Sequence, residues 1–394
     1  MRKDDEGPAG LYVHVPFCTS VCPYCDFAVT IAGAERRAAW SRGVLREAAM
    51  YADCGLEFET VYFGGGTPSS LAAGTLTDML TGLRDRLVMR DDAWVHLEIN
   101  PEDVTPEKLA CWRDLGVRFV SLGVQSFDDR DLAFLGRRHG GQRATEAAEA
   151  LLGAGFDTVS IDLISGIPGT SVERWVDQLD RAVALGIHHL SCYQLTIHDG
   201  TVFGHRLARK ELSELPEEEH ADLFFLTHET LAGLGLPAYE VSNFARPGHR
   251  SPHNQKYWDH TPYLGLGPSA HSWVDGRRWW NTRKLRLWQR QVDSDRLPTE
   301  GSERPTKHQL ALEALMLGLR TPDGVDLNRI HERFGIDLLA DNQVVIRDLE
   351  ADGRLLFDEP VIRPTVRGMA VADTLARAFV LPGRSDEIRS DCVG

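Results

Sequence analysis

The sequence is poor in several things, and each shortage removes a class of function. No stretch approaches the ~20 consecutive apolar residues needed to cross a bilayer, and Met1-Arg2-Lys3-Asp4-Asp5-Glu6-Gly7-Pro8 holds no apolar core of a secretory signal. Cationic side chains are in the minority, 43 Lys and Arg against 58 Asp and Glu for a formal charge of −15. That balance argues against a nucleic-acid partner, because phosphate tracking rests on a basic footprint. Cysteine is scarce and odd in number, seven in 394 residues, so a disulfide framework is not expected in a long chain without a leader. Internal repeats and low-complexity segments are missing too. What is there is a globular composition with 42% hydrophobic residues, long enough for two or three domains. We read the protein as cytoplasmic.

The few cysteines are unevenly placed. Cys18, Cys22 and Cys25 fall within eight residues, while Cys54, Cys111, Cys192 and Cys392 are scattered. Three thiolates at C-x3-C-x2-C spacing can bond three corners of a four-iron cluster and leave the fourth iron open to a ligand. On spacing alone a zinc site completed by His14, or unligated thiols, stay open as alternatives.

Short runs rich in Val, Ile, Tyr and Phe at residues 11–15, 60–63, 94–99, 117–124, 158–164 and 189–197 read as strands. Helical spacing fills the gaps between them, as at Trp175, Leu179, Ala182 and Val183, with glycine stops and an N-cap at Thr105 before Pro106. Strand and helix in alternation predict right-handed βαβ units and a parallel sheet whose ligand edge lies at the strand C-termini. Either an open sheet or a partial or full (β/α) barrel satisfies the pattern. Residues 205–235 read as helical. Residues 239–288 carry five of the nine tryptophans with little period and read as a functional loop region. Two short helices and a hairpin toward the C-terminus suggest a winged-helix-like α+β module. The expected domains are 1–235, an aromatic connecting region 236–300, and 301–394.

Gly64-Gly65-Gly66-Thr67-Pro68 follows the second strand. Three glycines allow close backbone approach to a charged ligand, and the absence of Lys-Ser/Thr excludes a P-loop. With C-x3-C-x2-C and the aromatic Tyr24 before its last cysteine, this resembles the radical S-adenosylmethionine (SAM) superfamily. The resemblance implies a partial (β/α)6 barrel, a [4Fe-4S] cluster on Cys18, Cys22 and Cys25, and SAM bound to the open iron by its amine and carboxylate. In active members an electron from the cluster cleaves SAM to a 5′-deoxyadenosyl radical.

Tyr12-Val13-His14-Val15-Pro16-Phe17-Cys18, the glycine loop, Glu98-Ile99-Asn100-Pro101, Gly123-Val124-Gln125-Ser126-Phe127, Arg137, Asp162 with the Ser165-Gly166-Ile167-Pro168-Gly169 turn, and Thr196 narrow the likeness. They resemble the oxygen-independent coproporphyrinogen III oxidase family and its haem-chaperone branch, HemW. By position the resemblance assigns SAM contacts to Tyr12, Tyr24, Gly65, Gly66, Thr67, Glu98, Gln125, Arg137, Asp162 and Thr196. The family's oxidases carry a fourth cysteine two positions after the third and a long N-terminal extension. Here that position is Phe27, and 17 residues precede Cys18.

His253-Asn254-Gln255-Lys256-Tyr257-Trp258 matches the chaperone branch's H-N-x-x-Y-W motif. It offers an imidazole for iron and flat amphipathic rings for a macrocycle, so His253, Asn254, Tyr257 and Trp258 are candidate haem contacts. The bland alternative packs the Tyr and Trp on the barrel. The implied function is a haem chaperone that binds a [4Fe-4S] cluster, SAM and haem and passes haem to acceptor proteins. The alternative is radical oxidative decarboxylation of coproporphyrinogen III to protoporphyrinogen IX. A homodimer and peripheral association with a membrane are both compatible with the sequence.

Overall fold

The computed structural model describes residues 7–381; Cys392 lies outside them. Six strands, β1 (Ala9–Val15), β2 (Glu57–Gly65), β3 (Val88–Ile99), β4 (Val117–Gln125), β5 (Thr158–Ser165) and β6 (His189–Gln194), pair in parallel in sequence order. Helices Ala34–Ala49, Ala73–Arg84, Pro106–Asp114, Gly141–Ala154 and Val172–Ala184 fill the crossovers. Their ends follow local chemistry. Thr105 accepts a hydrogen bond from the Lys108 N–H with Pro106 in the first turn, Ser171 caps Arg174 in the same way, and Gly155 stops its helix at φ 77°.

Strand parity then separates two faces. Val61, Phe63, Val95, Leu97, Val120, Leu122, Ile161 and Leu163 are buried in one core with helix residues such as Leu80, Leu151, Trp175 and Leu179, each contributing about 1.5–3 kcal/mol. The alternate residues, among them Thr60, Tyr62, His96, Glu98, Ser121, Ser160 and Asp162, form the polar lining of the lumen.

The aromatic stretch expected as loops is largely strand and helix. β7 (Asn243–Ala245) pairs antiparallel with β6, and helix Pro252–Trp258 follows it. β8 (Tyr263–Leu266) pairs parallel with the outer side of β1, and β9 (His271–Val274), β10 (Arg277–Asn281) and β11 (Thr299–Glu303) extend the sheet antiparallel. One eleven-stranded sheet results, with β11 and β7 at its edges. The barrel is therefore open, and residues 243–303 continue its sheet. Strands of three to five residues are too short for an alternating pattern to declare itself.

Glu47 fastens this extension to the barrel. Its carboxylate, fully buried on helix Ala34–Ala49, accepts from the Gly267 N–H and the Trp288 indole, both at 2.9 Å, and from Asn281 Nδ2 at 2.6 Å. Burial pushes the group up to about 8 while the three donors pull it down.

The C-terminal module has its own core of Leu315, Ile330, Leu338, Ile346 and Ile362. Helices Lys307–Gly318, Leu327–Phe334 and Leu338–Ala351 pack beside β12 (Val325–Asp326), β13 (Leu355–Asp358) and β14 (Val361–Pro364), in strand order β12-β14-β13. Helices Val366–Met369 and Ala372–Ala378 follow, the latter adding Ala372, Leu375 and Ala376 to the same core, so the module is a helical unit with a wing. Among the described residues no helix is long and apolar enough to cross a membrane.

Candidate functional site

The segment after β1 leaves the barrel as a stapled loop. Cys18 N–H donates to the Thr30 carbonyl at 3.1 Å and Thr30 N–H to that of Pro16 at 2.7 Å, while Cys25 N–H closes a turn on Cys22 at 3.1 Å. The three cysteines are free thiols. Thr67 donates its hydroxyl to Cys18 Sγ and Arg137 Nη1 donates to Cys22 Sγ, each at 3.6 Å. Burial pushes the Cys18 thiol up to about 11 and raises Cys25 as well. Thiols so placed deprotonate when a cation compensates them.

The glycine loop lies against this segment. Gly65 has φ 110°, and a Cβ there would come within 2.6 Å of the His14 ring. On Gly66 a Cβ would meet Cys18 Sγ at 3.0 Å and the Val15 and Phe17 carbonyls at 2.9 and 2.8 Å, so the close approach itself demands glycine. His14 has both ring nitrogens in use, accepting at Nδ1 from the Tyr12 hydroxyl at 3.1 Å and donating from Nε2 to Ala28 O at 3.0 Å. It ties the cysteine segment to β1 and is no ligand in this arrangement.

Below the loops sit two buried carboxylates. Glu98 on β3 accepts from the Tyr62 hydroxyl and the Gly65 N–H, both at 2.9 Å; burial, then the nearby Asp162, raise it to about 7. Asp162 on β5 accepts from Ser121 at 2.8 Å and is raised by burial to about 6. Across from them Arg137 donates to Asn100 Oδ1 at 2.8 Å and to Gly123 O at 2.9 Å, and its buried Nε has no partner. Gln125 ends β4 at φ 69°, a costly conformation for this residue type. Thr196 bonds back to Gln194 O at 3.4 Å.

These groups surround one cavity of about 410 Å³, lined by the three cysteines, Tyr24, Gly65, Gly66, Thr67, Glu98, Gln125, Arg137, Asp162 and Thr196. Tyr12 does not line it. That ring stacks on Tyr62 at 6.0 Å, one layer down. Cavity and charges suit a zwitterionic molecule of cofactor size. Among the described residues no three His, Cys, Asp or Glu side chains converge on a single ion's position. A mononuclear ion needs that convergence, whereas a four-iron cluster takes each thiolate on a different iron. Three free thiols, Cys18 buried and Cys22 and Cys25 half-buried, beside a glycine-walled space therefore fit a cluster.

The H-N-x-x-Y-W residues lie elsewhere. Helix Pro252–Trp258 plugs the N-terminal end of the barrel, capped by Ser251, and a Cβ on Gly10 would touch His253 and Lys256. His253 is 1% exposed. Its Nδ1 shares a 2.8 Å hydrogen bond with Thr60 and its Nε2 one of 2.9 Å with the Tyr257 hydroxyl; burial lowers its basicity. Tyr257 packs edge-on to Tyr263, and Lys256 pairs with Glu59. Asn254 and Trp258, on the same helix, are likewise not among the cavity's lining residues. The motif is packed into the fold, and the cavity is built without it.

Sequence reasoning missed Tyr62, Ser121 and Asn100, which hold Glu98, Asp162 and Arg137. The available signal was parity and register. Tyr62 shares β2's inward face with Thr60, and Ser121 pairs with Glu98 in the β3–β4 register.

Residues 12–182 match the Radical SAM superfamily and residues 306–371 the HemN C-terminal domain. The heme chaperone HemW of Mycobacterium tuberculosis is 36% identical over 379 residues, covering 95% of each chain. HemW of Escherichia coli is 37% identical over 278 residues, 68% of this chain and 72% of that one. The mouse radical S-adenosyl methionine domain-containing protein 1, mitochondrial, is 34% identical, covering 93% and 86%. The solved structure of Escherichia coli coproporphyrinogen III oxidase, HemN, superposes with a TM-score of 0.82 at 22% identity over 95% of this chain and 90% of that one, a likeness of fold.

Proposed function

Because the chain belongs to the radical SAM superfamily and, within it, to the HemW family, we propose that it is a haem chaperone that binds a [4Fe-4S] cluster, SAM and haem and hands haem to acceptor proteins. Cys18, Cys22 and Cys25 are the cluster's ligands. A cluster with one iron free of protein supplies a Lewis-acidic, electron-donating point for the amine and carboxylate of SAM. The protein does the rest. Glu98 accepts from the ligand's ammonium group, Asp162 and Gln125 face its polar middle, and Arg137 balances the thiolate charge at Cys22 while holding Asn100. The glycine loop brings backbone polar groups to contact distance, and the walls exclude water.

Phe27 carries the choice of chaperone over decarboxylase. It stands where the oxidases place a further cysteine and is 69% exposed at the rim of the cavity. The test is anaerobic reconstitution of the full chain, followed on one sample by haem titration and by incubation with SAM, reductant and coproporphyrinogen III. The expected result is a saturable, shifted Soret band with no CO2 release. Sustained protoporphyrinogen formation overturns the reading.

A further inference from the structure

The strand end that presents Gln125 to the cavity is held from behind. The β4–β5 register slips between Leu122 and Gln125, and Gln125 stands at φ 69°. A bulge with a non-glycine residue at positive φ persists only where its surroundings fix it. Two donors from one loop do so. Arg137 Nη2 bonds the Gly123 carbonyl at 2.9 Å, and His139 Nε2 bonds the Val124 carbonyl at 3.0 Å. Arg137 lines the cavity, whereas His139 does not.

The His139 side chain is fully buried. A carbonyl only accepts, so Nε2 carries a proton, and in a neutral ring Nδ1 is then a bare acceptor. Nδ1 lies 3.4 Å from Glu102 Oε2, and among the described residues neither atom has a hydrogen-bond partner. Two buried acceptors so placed repel unless a proton lies between them. Burial raises the Glu102 carboxyl, but His139 and Arg137 outweigh it and hold the group below the ordinary carboxylate range. Other charges on the elements packed here are engaged or exposed: Lys108 with Asp103, Arg143 with Glu146 and the Val104 carbonyl, Asp129 on the Gly141 N–H, and Arg138 in solvent.

We propose that Glu102 and His139 share one proton, carried on Nδ1, and that the pair positions SAM's site by fixing the Val124 carbonyl and with it the bulge that aims Gln125 into the cavity. The proposal rests on the SAM-binding reading. Both are positioning residues, and the proton stays within the pair.

The test uses the full chain. Imidazole nitrogen shifts by magnetic resonance on the cluster-free protein, assigned with His139→Ala, read the protonation of the ring. After anaerobic cluster reconstitution, SAM binding is measured by calorimetry from about pH 6 to about pH 9 in wild type, Glu102→Gln, His139→Ala, Gln125→Ala and the His139/Gln125 double variant. At the acid end the ring is expected to be protonated on both nitrogens. SAM affinity is expected to fall about tenfold in His139→Ala and in Gln125→Ala, with no further loss in the double variant, because one residue acts through the other. Glu102→Gln can turn its amide nitrogen or oxygen to Nδ1 as the ring requires. It is expected to match wild type at the acid end and to bind SAM more tightly at the alkaline end, where the pair gives up its proton. Glu98 and Asp162 titrate alike in both proteins and cancel. A bare Nδ1 at the acid end overturns the proposal, as do additive losses in the double variant or parallel pH curves for wild type and Glu102→Gln. If His139→Ala does not fold, the nitrogen shifts and the Glu102→Gln comparison decide. Absence of SAM binding by reconstituted wild type at every pH overturns the SAM reading itself, and this inference with it.

Discussion

Toward the N-terminal end of the strands Thr60, His96, Ser160 and His189 point into the lumen; further toward the C-terminal ends Gly64, Glu98 and Asp162 do so, with Ser121 in register with both Glu98 and Ser160. The lower set is closed. His189 is bonded to Ser160 at 2.7 Å and to the Tyr239 hydroxyl at 2.8 Å, His253 to Thr60 and Tyr257, and the rings of Tyr62, His96 and Phe119 stack between them. Burial holds His96 and His189 down to about 3, so the floor is neutral. The upper set is open, with two carboxylates, an arginine whose Nε is unpaired, and glycine where a side chain would fill the space. Identical strand geometry thus yields a plug where hydrogen-bond groups are matched, and a ligand site where charge is left for a guest to balance.

The largest effect that would break the comparison comes from the upper rim. Changing Cys18, Cys22 and Cys25 together to Ala is expected to remove all cluster iron, about four atoms per chain, with the barrel's far-ultraviolet dichroism retained. Cluster absorbance surviving in that variant would refute the ligand assignment. Next comes the floor. His253→Ala strands the Thr60 and Tyr257 hydroxyls in a dry lumen and opens a void, for an expected loss of about 2–4 kcal/mol in equilibrium unfolding. Cluster iron is expected to be unchanged. Wild-type stability in that variant would show that the floor is not held by this residue.

The sequence made the upper site legible because its chemistry is dense and local. C-x3-C-x2-C and Gly64-Gly65-Gly66 are contiguous, and Glu98, Arg137 and Asp162 sit at or just after strand ends, where a parallel sheet puts its ligands. The lower set was hidden for the opposite reason. Thr60, His96, Ser160 and His189 are single polar residues inside runs that read as apolar, and their meaning comes from pairings 29 to 193 residues apart. His253 shows how the surroundings of such a residue come from the fold: its Nδ1 meets Thr60, 193 residues away, and its Nε2 the Tyr257 hydroxyl one turn along its own helix. The extension β8–β11 was missed because its fastening, Glu47 to Gly267, Asn281 and Trp288, spans 220 to 241 residues.

The smallest expected effect separates the two ends most finely, because it has opposite signs in the free and loaded protein. Glu98 and Asp162 are raised from 4.5 and 3.8 to about 7 and about 6, chiefly by burial. Acids raised on folding bind protons more tightly in the native state. The stability they confer is therefore full below their unfolded values near 4, and is lost as pH climbs through about 6 and 7. Asp162→Asn removes one titration while Ser121, whose hydroxyl rotates, can still donate to the amide oxygen. At about pH 8 the SAM-free variant should gain about 1–2 kcal/mol over wild type, with the advantage vanishing near pH 4. Comparing the two proteins cancels Glu47, which titrates alike in both. SAM binding should weaken in the same variant, by about ten- to a hundredfold, since a polar contact to a charged group is worth about 1.5–3 kcal/mol. A melting temperature that follows pH in parallel for both proteins would mean that the fold itself compensates Asp162, and that the upper end is as closed as the floor.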